Sequence, residues 1–162
     1  MNRKSRAEAQ NPGKASGAVT RILKADRDWL EKSIVDLAKS KGMTTGKWML
    51  FPHSNVVDEI WRTVAKATLE GLLGCAAKVA TDDDSGGHRL VCVYTEDFTD
   101  EESVRRVLDK MQELGLVKGE QGIFYKCDAY TYLNIMSAND YKLKASMYSS
   151  KEMLKDSLAK KR

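Results

Sequence analysis

The clearest pattern of apolar and polar positions lies between residues 46 and 74. An aromatic and aliphatic run at 47–51 is stopped by Pro52 and is followed by a polar hinge. After the hinge, the positions expected on one face of a helix recur at intervals of three and four, at Val57, Ile60, Trp61, Val64, Thr68 and Leu72. This spacing is typical of a helix that packs one face against a flat surface. Because two β-rich runs follow directly, the pattern predicts a nucleus of strand, helix and hairpin.

Further β-rich runs follow residue 74. Residues 75–81 and 88–95 flank the polar loop DDDSGG, which predicts a hairpin. Residues 88–95 are nearly continuous in Val, Leu and Tyr, so we expect this strand to be central. A last strand is expected at 122–127. Residues 128–140 are interpreted as a turn or one short helix, and residues 142–149 as an edge strand.

A strongly patterned helix separates the hairpin from that last strand. Thr99 followed by Glu102 is a capping-box signature, which predicts that the helix starts at residue 99. Acidic residues at 100–102 suit the positive end of the helix dipole. Its apolar stripe comprises Val104, Val107, Leu108, Met111 and Leu114. Gly115 is expected to end the helix.

The N-terminal part combines one amphipathic segment with a polar tail. Asp28 with Glu31 resembles a helix start box and Gly42 a stop, which predicts a first helix at 28–41. Residues 1–20 have almost no large apolar side chains and are predicted to be disordered. We therefore divide the chain into a disordered basic tail (1–24), one α+β domain (25–150), and a basic C-terminal tail or short helix (151–162).

These elements give the order β α β β α β, followed by an irregular piece and a further strand. Helices about as long as a sheet is wide, and hairpins between strands, favour an α+β fold. We predict a curved, mainly antiparallel sheet with the helices packed on its convex face. The concave face stays uncovered in such an arrangement, and we expect a binding site there.

Charge separates the ends of the chain from its body. The 162 residues have a net charge of +4, but residues 25–154 carry 17 Lys and Arg against 21 Asp and Glu, a net −4. Basicity therefore belongs to the two ends, where it could contact phosphate or an acidic partner. No apolar run approaches the ~20 residues of a membrane span. We predict no membrane contact and a cytoplasmic or nuclear protein, with Cys75, Cys92 and Cys127 as buried reduced thiols.

Residue patterns for catalysis are scarce. His53 and His88 lack the spacing of metal ligands, and a Cys–His site assembled only in space is the enzymatic alternative. The run 82–84 of three aspartates is interpreted as a solvated loop tip rather than a cation site. Neither a GxxxxGK[ST] nor a GxGxxG phosphate-binding motif is present. We therefore predict a monomeric, non-enzymatic protein with no metal and no cofactor.

Aromatic residues interleaved with cations are the more suggestive pattern. An aromatic face beside a cation is what stacking on a base and holding a phosphate require. Trp61 lies on the helix stripe and is interpreted as core. Trp48 is open to both interpretations, core and site. The candidate nucleotide- or RNA-binding residues are Trp29, Trp48, Lys78, Arg89, Tyr94, Lys126, Tyr130 and Tyr132.

Four segments resemble a known family. They are GKWMLF (46–51), DEIWRTVAKATLEGLLG (58–74), HRLVCVYTEDFTDEESV (88–104) and YKCDAYTYL (125–133). Together they resemble the basophilic leukaemia-expressed protein family. More distantly, the same order of elements is similar to the second half of translation initiation factor 4E, at the level of fold. The resemblance spans about residues 46–148 and implies a curved antiparallel sheet backed by helices.

The distant resemblance also implies a binding mode. The cap-binding factor clamps methylguanine between two tryptophans and holds the phosphates with basic residues. Of the corresponding tryptophans only Trp29 remains in this chain, and Tyr94 stands near the position of a further tryptophan. Arg89 and Lys78 suit the phosphate position. The resemblance thus implies an incomplete aromatic cage in the same hollow.

Two functions follow from these observations. The first is a nucleic-acid or nucleotide-binding module that uses the concave sheet face, helped by the basic tails. The second is a protein-interaction adaptor that uses the outer helical surface. The acidic body disfavours broad RNA affinity, because phosphate contacts scale with the cations engaged.

Overall fold

A computed structural model describes residues 16–81, 87–117 and 122–160. These residues form five helices and five strands. In chain order they are α1 Ser16–Ser40, β1 Gly46–Leu50, α2 Val57–Leu69, β2 Ala76–Val79, β3 Val91–Thr95, α3 Glu101–Glu113, β4 Phe124–Cys127, α4 Asp128–Tyr132, β5 Tyr148–Ser149 and α5 Ser150–Lys160.

The strands form one antiparallel sheet in the order β2-β3-β1-β4-β5. The prediction of an α+β fold with an antiparallel sheet is therefore confirmed. The strand predicted to be central, β3, has neighbours on both sides, while β1 holds the middle position. The predicted edge strand is confirmed as β5, but only Tyr148 and Ser149 pair with β4. The predicted hairpin loop, including the three aspartates at 82–84, lies outside the described residues.

Alternation along the strands divides the sheet into two faces. Trp48 lies opposite Val93 on one side and Tyr125 on the other, and all three are fully buried. The indole N–H of Trp48 donates to the carbonyl of Val104 in α3, at 3.1 Å. This face therefore packs against helices and carries the core. The opposite face carries the side chains of the intervening positions.

The amphipathic stripes of α2 and α3 supply the other side of the core. Val57 and Val64 of the predicted α2 stripe are buried, and Trp61 is half-buried against the core. Leu72, also predicted to lie on the stripe, is exposed and lies beyond the end of the helix. In α3 the stripe is confirmed, with Val104, Val107, Leu108 and Met111 buried. Gly115 follows this helix with a φ of +69°, which suits its predicted role as terminator.

The first helix is longer than its sequence signature indicates. It begins at Ser16, so the predicted start at Asp28 is wrong by twelve residues. Asp28 and Glu31 lie inside the helix, where such pairs also occur on exposed faces. Residues 16–24, which we predicted to belong to a disordered tail, are helical, whereas residues 1–15 lie outside the described part of the chain. Leu30, Ile34 and Val35 of α1 pack against the core.

Two further local predictions are corrected. The N-cap of α3 is Asp100, whose carboxylate accepts from the N–H of Ser103 at 3.0 Å, so the Thr99–Glu102 capping box does not form. The hydroxyl of Thr99 instead donates to Asp97. Cys92 and Cys127 are buried free thiols as predicted, but Cys75 is exposed, since it precedes the edge strand β2.

Two predictions left alternatives open, for the irregular piece after β4 and for the C-terminal tail, and the structure decides both. Residues 128–132 form the short helix α4, which follows β4 without a break. The C-terminal tail is helical from residue 150 to 160. Residues 161 and 162 lie outside the described part.

Candidate functional site

The sheet face that points away from the Trp48 core carries lysines and aromatic residues in two cross-strand rows. In one row, Lys47 of the middle strand lies opposite Tyr94 of β3 and Lys126 of β4. In the other row, Met49 lies opposite Cys92 and Phe124, and Cys92 in turn lies opposite Lys78. This set of residues is called the lysine face below.

One end of the lysine face is closed by the chain itself. The ammonium of Lys47 donates to the carboxylate of Asp128 at 2.5 Å and to the hydroxyl of Thr131 at 2.9 Å. The second carboxylate oxygen of Asp128 accepts from the hydroxyl of Thr45. Both charged side chains of the Lys47–Asp128 pair are largely buried. Because α4 follows β4 directly, it brings Asp128 and Thr131 onto Lys47.

Tyr94 belongs to this closed end. Its ring centroid lies 5.6 Å from the Lys47 ammonium, and the side chain is half-buried. Burial raises the pKa of the Tyr94 hydroxyl above its ordinary value. The hollow expected beside Tyr94 is therefore occupied by Lys47 and its partners.

Lys126 differs from Lys47 although the two residues are neighbours across the strands. Only 7% of Lys126 is exposed, and its ammonium donates to the thioether sulfur of Met136 at 3.6 Å. No carboxylate of the described residues forms an ion pair with it. Burial lowers the pKa of the Lys126 ammonium, and the nearby Lys47 ammonium lowers it further. Lys126 is thus a buried cation without a matched anion in the described structure.

A cleft of about 660 Å³ lies at the open end of the lysine face. Phe51 and Phe124 are exposed, with 59% and 51% of each residue accessible. Three charged residues line the cleft: the buried Lys126 and the exposed Lys144 and Glu152. The remaining lining comes from Met49, Met136, Ser137, Leu143, Ala145, Ser146, Met147, Tyr148 and Ser149. Chemically, the cleft offers an apolar, partly aromatic surface with cations within it.

The predicted site residues do not assemble into one site. Lys78, Tyr94 and Lys126 share the lysine face, and Trp29 and Tyr132 are exposed on α1 and α4. Trp48 is fully buried, so its interpretation as core is confirmed and its interpretation as a site residue is wrong. Tyr130 is also buried, in the core cluster, where burial raises the pKa of its hydroxyl to about 12. These two side chains are inaccessible to a ligand.

Arg89 is not a partner of Tyr94. It precedes β3, and its backbone N–H donates to the carbonyl of Pro52. Its guanidinium donates to the carbonyl of Thr81, and its Nε is buried without a partner among the described residues. Five residues of extended chain put Arg89 roughly 16 Å from Tyr94. It therefore belongs to the hairpin end of the sheet.

Sequence reasoning missed four residues on or beside the lysine face. Phe51 directly follows β1 and Phe124 begins β4. Alternation along β1 from the buried Trp48 could have placed Phe51 on the opposite face. Lys47 and Asp128 are 81 residues apart in the chain, and no local pattern connects them. The pair of Lys47 with Asp128 required the sheet register.

The two histidines come together at the other end of β1. Their rings lie 5.3 Å apart, edge to face, and an isolated bridge joins the two backbones. The ring of His53 also contacts the side-chain amide oxygen of Asn55, at 2.9 Å. Within the described ranges, no group of three or more His, Cys, Asp or Glu side chains is placed to hold a metal ion.

A comparison with known protein families agrees with the resemblance of the four segments. The family model of the basophilic leukemia-expressed protein Bles03 matches residues 1–134. The chain belongs to the Bles03 family. The matched region contains β1 to β4, the Lys47–Asp128 pair and Lys126, whereas the cleft residues from Met136 onward lie beyond it. No helix among the described residues has the length and apolar character to cross a membrane.

Proposed function

We propose that the protein is a non-enzymatic binding module that takes a nucleotide or a single-stranded RNA segment on the open end of the lysine face. The observation that carries the proposal is the cleft in which Phe51 and Phe124 expose their rings beside Lys126 and Lys144. Bases stack on aromatic faces regardless of sequence, and lysines hold the backbone. The combination suits a nucleic-acid ligand better than an apolar one, because an apolar ligand would leave the cations unused.

The distant similarity to translation initiation factor 4E supports the same face. That factor shares the order of strand, helix, hairpin, helix and last strand. We extend the proposal to the fold, and infer that the sheet is curved and that its hollow face is the ligand face. The ligand differs from a clamped cap, because only Trp29 remains of the corresponding tryptophans and the Tyr94 region is occupied by Lys47 and Asp128.

Fluorescence anisotropy with a short labelled oligouridine RNA tests this function. Phe124→Ala removes one exposed ring, and since stacking contributes about 1–3 kcal/mol per base, we expect affinity to fall roughly 5- to 150-fold. Leu69→Ala is the matched control, because Leu69 is an apolar side chain 90% exposed on α2, away from the cleft. Equal affinities of the wild type and Phe124→Ala would refute the proposal.

Salt dependence separates the cleft from the basic ends. Each phosphate contact with a single strand contributes about −0.7 to the slope of log K against log salt, so Lys144→Ala should reduce the slope by about that amount. A chain lacking residues 1–15 should retain binding that depends on Phe124. Binding that vanishes with this deletion would assign RNA affinity to the tail and contradict the proposal.

A second candidate is a protein contact through the outer face of α2. Leu69 is almost fully exposed there and Trp61 is half-buried. The surrounding charges are mixed, and Lys66 already approaches Glu70 at 3.9 Å, so an apolar helical segment of a partner would fit better than a charged one. Under this alternative, Leu69→Lys abolishes partner binding and leaves RNA affinity unchanged, whereas Phe124→Ala has no effect on the partner.

A further inference from the structure

Within the described residues, the lysine face holds a buried charge, the ammonium of Lys126, that has no carboxylate partner. Charged groups in protein interiors are normally paired with an opposite charge or bound to a ligand. The ammonium of Lys126 has the thioether of Met136 as its acceptor, which is a weak one. Its cross-strand neighbour Lys47 has both a carboxylate and a hydroxyl. The unpaired ammonium of Lys126 therefore costs free energy, and a bound anion would offset that cost.

The surroundings of Lys126 restrict what such an anion could be. The cleft that Lys126 lines has a volume typical of small-molecule sites and is mostly apolar. Because only 7% of the residue is exposed, the anionic group has to enter the cleft to reach it. An internal phosphodiester carries a sugar on both sides, whereas a terminal phosphate carries one substituent and a charge of about −1.5 to −2 at pH 7.

We propose that Lys126 anchors the terminal phosphate of a nucleoside monophosphate group, whose base lies on Phe124 and Phe51. This inference rests on the proposed function and deepens it, since it names the end of a ligand, not the middle of a strand, as the group recognised. A free mononucleotide and the phosphorylated end of an RNA strand carry the same group. Lys144 lines the same cleft in an exposed position and attracts the anion, whereas the carboxylate of Glu152 repels it.

Calorimetric titration of the full chain with adenosine 5′-monophosphate and with adenosine tests the anchor. We expect the monophosphate to bind at least tenfold more tightly, and Lys126→Met to remove that preference while adenosine binding persists. Met has a similar length and suits the apolar cleft, so the variant should fold. Lys126→Arg restores a cation and should restore part of the preference.

Two other cleft residues give matched controls. Lys144→Met removes an exposed cation from the same cleft and should weaken the monophosphate only two- to threefold. Glu152→Gln removes the opposing charge and should strengthen it by a similar factor. Equal binding of adenosine and its monophosphate, or a preference that survives Lys126→Met, would overturn the inference.

A pair of RNA strands distinguishes this inference from the proposed function. We compare the same oligouridine with a 5′-hydroxyl and with a 5′-phosphate. Tighter binding of the phosphorylated strand that depends on Lys126 supports the phosphorylated end as the ligand source, and a preference seen only with the mononucleotide supports the free form. If both strands bind equally, adenosine and its monophosphate also bind equally, and Phe124→Ala still weakens both strands, the anchor is wrong and the proposed function stands.

Discussion

At the scale of single residues, two lysines in cross-strand register have different environments. Lys47 and Lys126 are both buried, and α4 places Asp128 and Thr131 on the first of them only. A buried ion pair stabilises little in net terms, but removal of one partner leaves a charge without solvent or counter-ion. Substitution of Asp128 should therefore destabilise the fold strongly.

Asp128→Ala should reduce the free energy of unfolding by about 3–5 kcal/mol, because Lys47 is left buried and unpaired. Urea denaturation followed by tryptophan fluorescence measures the change. The double variant Lys47→Met with Asp128→Leu is the control, and it should be much closer to the wild type since neither charge remains. A loss below about 1 kcal/mol in Asp128→Ala would show that the pair is effectively solvated.

At the scale of secondary-structure elements, helix ends were less predictable than helix faces. The apolar stripe of α3 repeats over three turns, so several residues support its assignment. The start of the helix depends on a single side chain. Thr99 and Asp100 are both suitable N-caps, and Asp100 performs this role because the hydroxyl of Thr99 bonds Asp97.

Asp100→Ala should reduce the free energy of unfolding by about 0.5–2 kcal/mol, since the N–H of Ser103 loses its acceptor. Chemical denaturation of the two proteins at neutral pH measures this difference. Glu102→Ala is the control that separates the observed cap from the capping box. Its effect should be limited to the helix-dipole contribution of a few tenths of a kcal/mol. An equal loss in both variants would favour the capping box.

At the scale of the whole molecule, buried tyrosines make the stability of the fold depend on pH in the alkaline range. Burial raises the pKa of Tyr125 and of Tyr130, the latter to about 12 from 10.0. Above pH 10 the unfolded chain releases these protons while the folded state retains them. Stability therefore falls as pH rises, by about 1.4 kcal/mol per pH unit for each such group. The pKa of Lys126 is lowered in the folded protein, so this residue makes stability rise with pH, up to the ordinary lysine pKa of 10.5.

Tyr130→Phe should flatten the loss of stability between pH 10 and 12, because it removes one hydroxyl that titrates only in the unfolded state. Urea midpoints across this pH range give the slope for each protein. Tyr132→Phe changes an exposed residue on the same helix and serves as the control for the substitution itself. A slope unchanged by Tyr130→Phe would mean that this hydroxyl ionises in the folded protein.

The net charge of the chain is also a poor guide to its surface at this scale. The body of the chain is acidic overall, yet the lysine face collects Lys47, Lys78 and Lys126 from three different strands. Sheet register brings these cations together, whereas a sum over the sequence hides them. The acidic sum of the body therefore does not describe the local charge of this face, and the expectation that it disfavours broad RNA affinity stays a prediction.

Sequence alone was sufficient for the α+β class, the strand and helix order and the apolar stripes, because these depend on period-two and period-three-to-four patterns within short segments. Glycine stops were predictable for the same reason, as at Gly42 and Gly115, which adopt positive φ. The start of α1 was not, since Asp28 and Glu31 suit a helix interior as well as a cap. Trp48 could be assigned to either face until its register was known.

The candidate site was decided by tertiary structure. Lys47 pairs with Asp128 across 81 residues, and Lys126 has no such partner in the part of the chain that the structure describes, because strand pairing and the turn into α4 set which side chains meet. The cleft beside Phe124 forms between the sheet and residues 136–149, which carry almost no regular secondary structure. Local sequence patterns determine which face of an element is apolar, but the contacts between distant segments determine which of the described charges are neutralised.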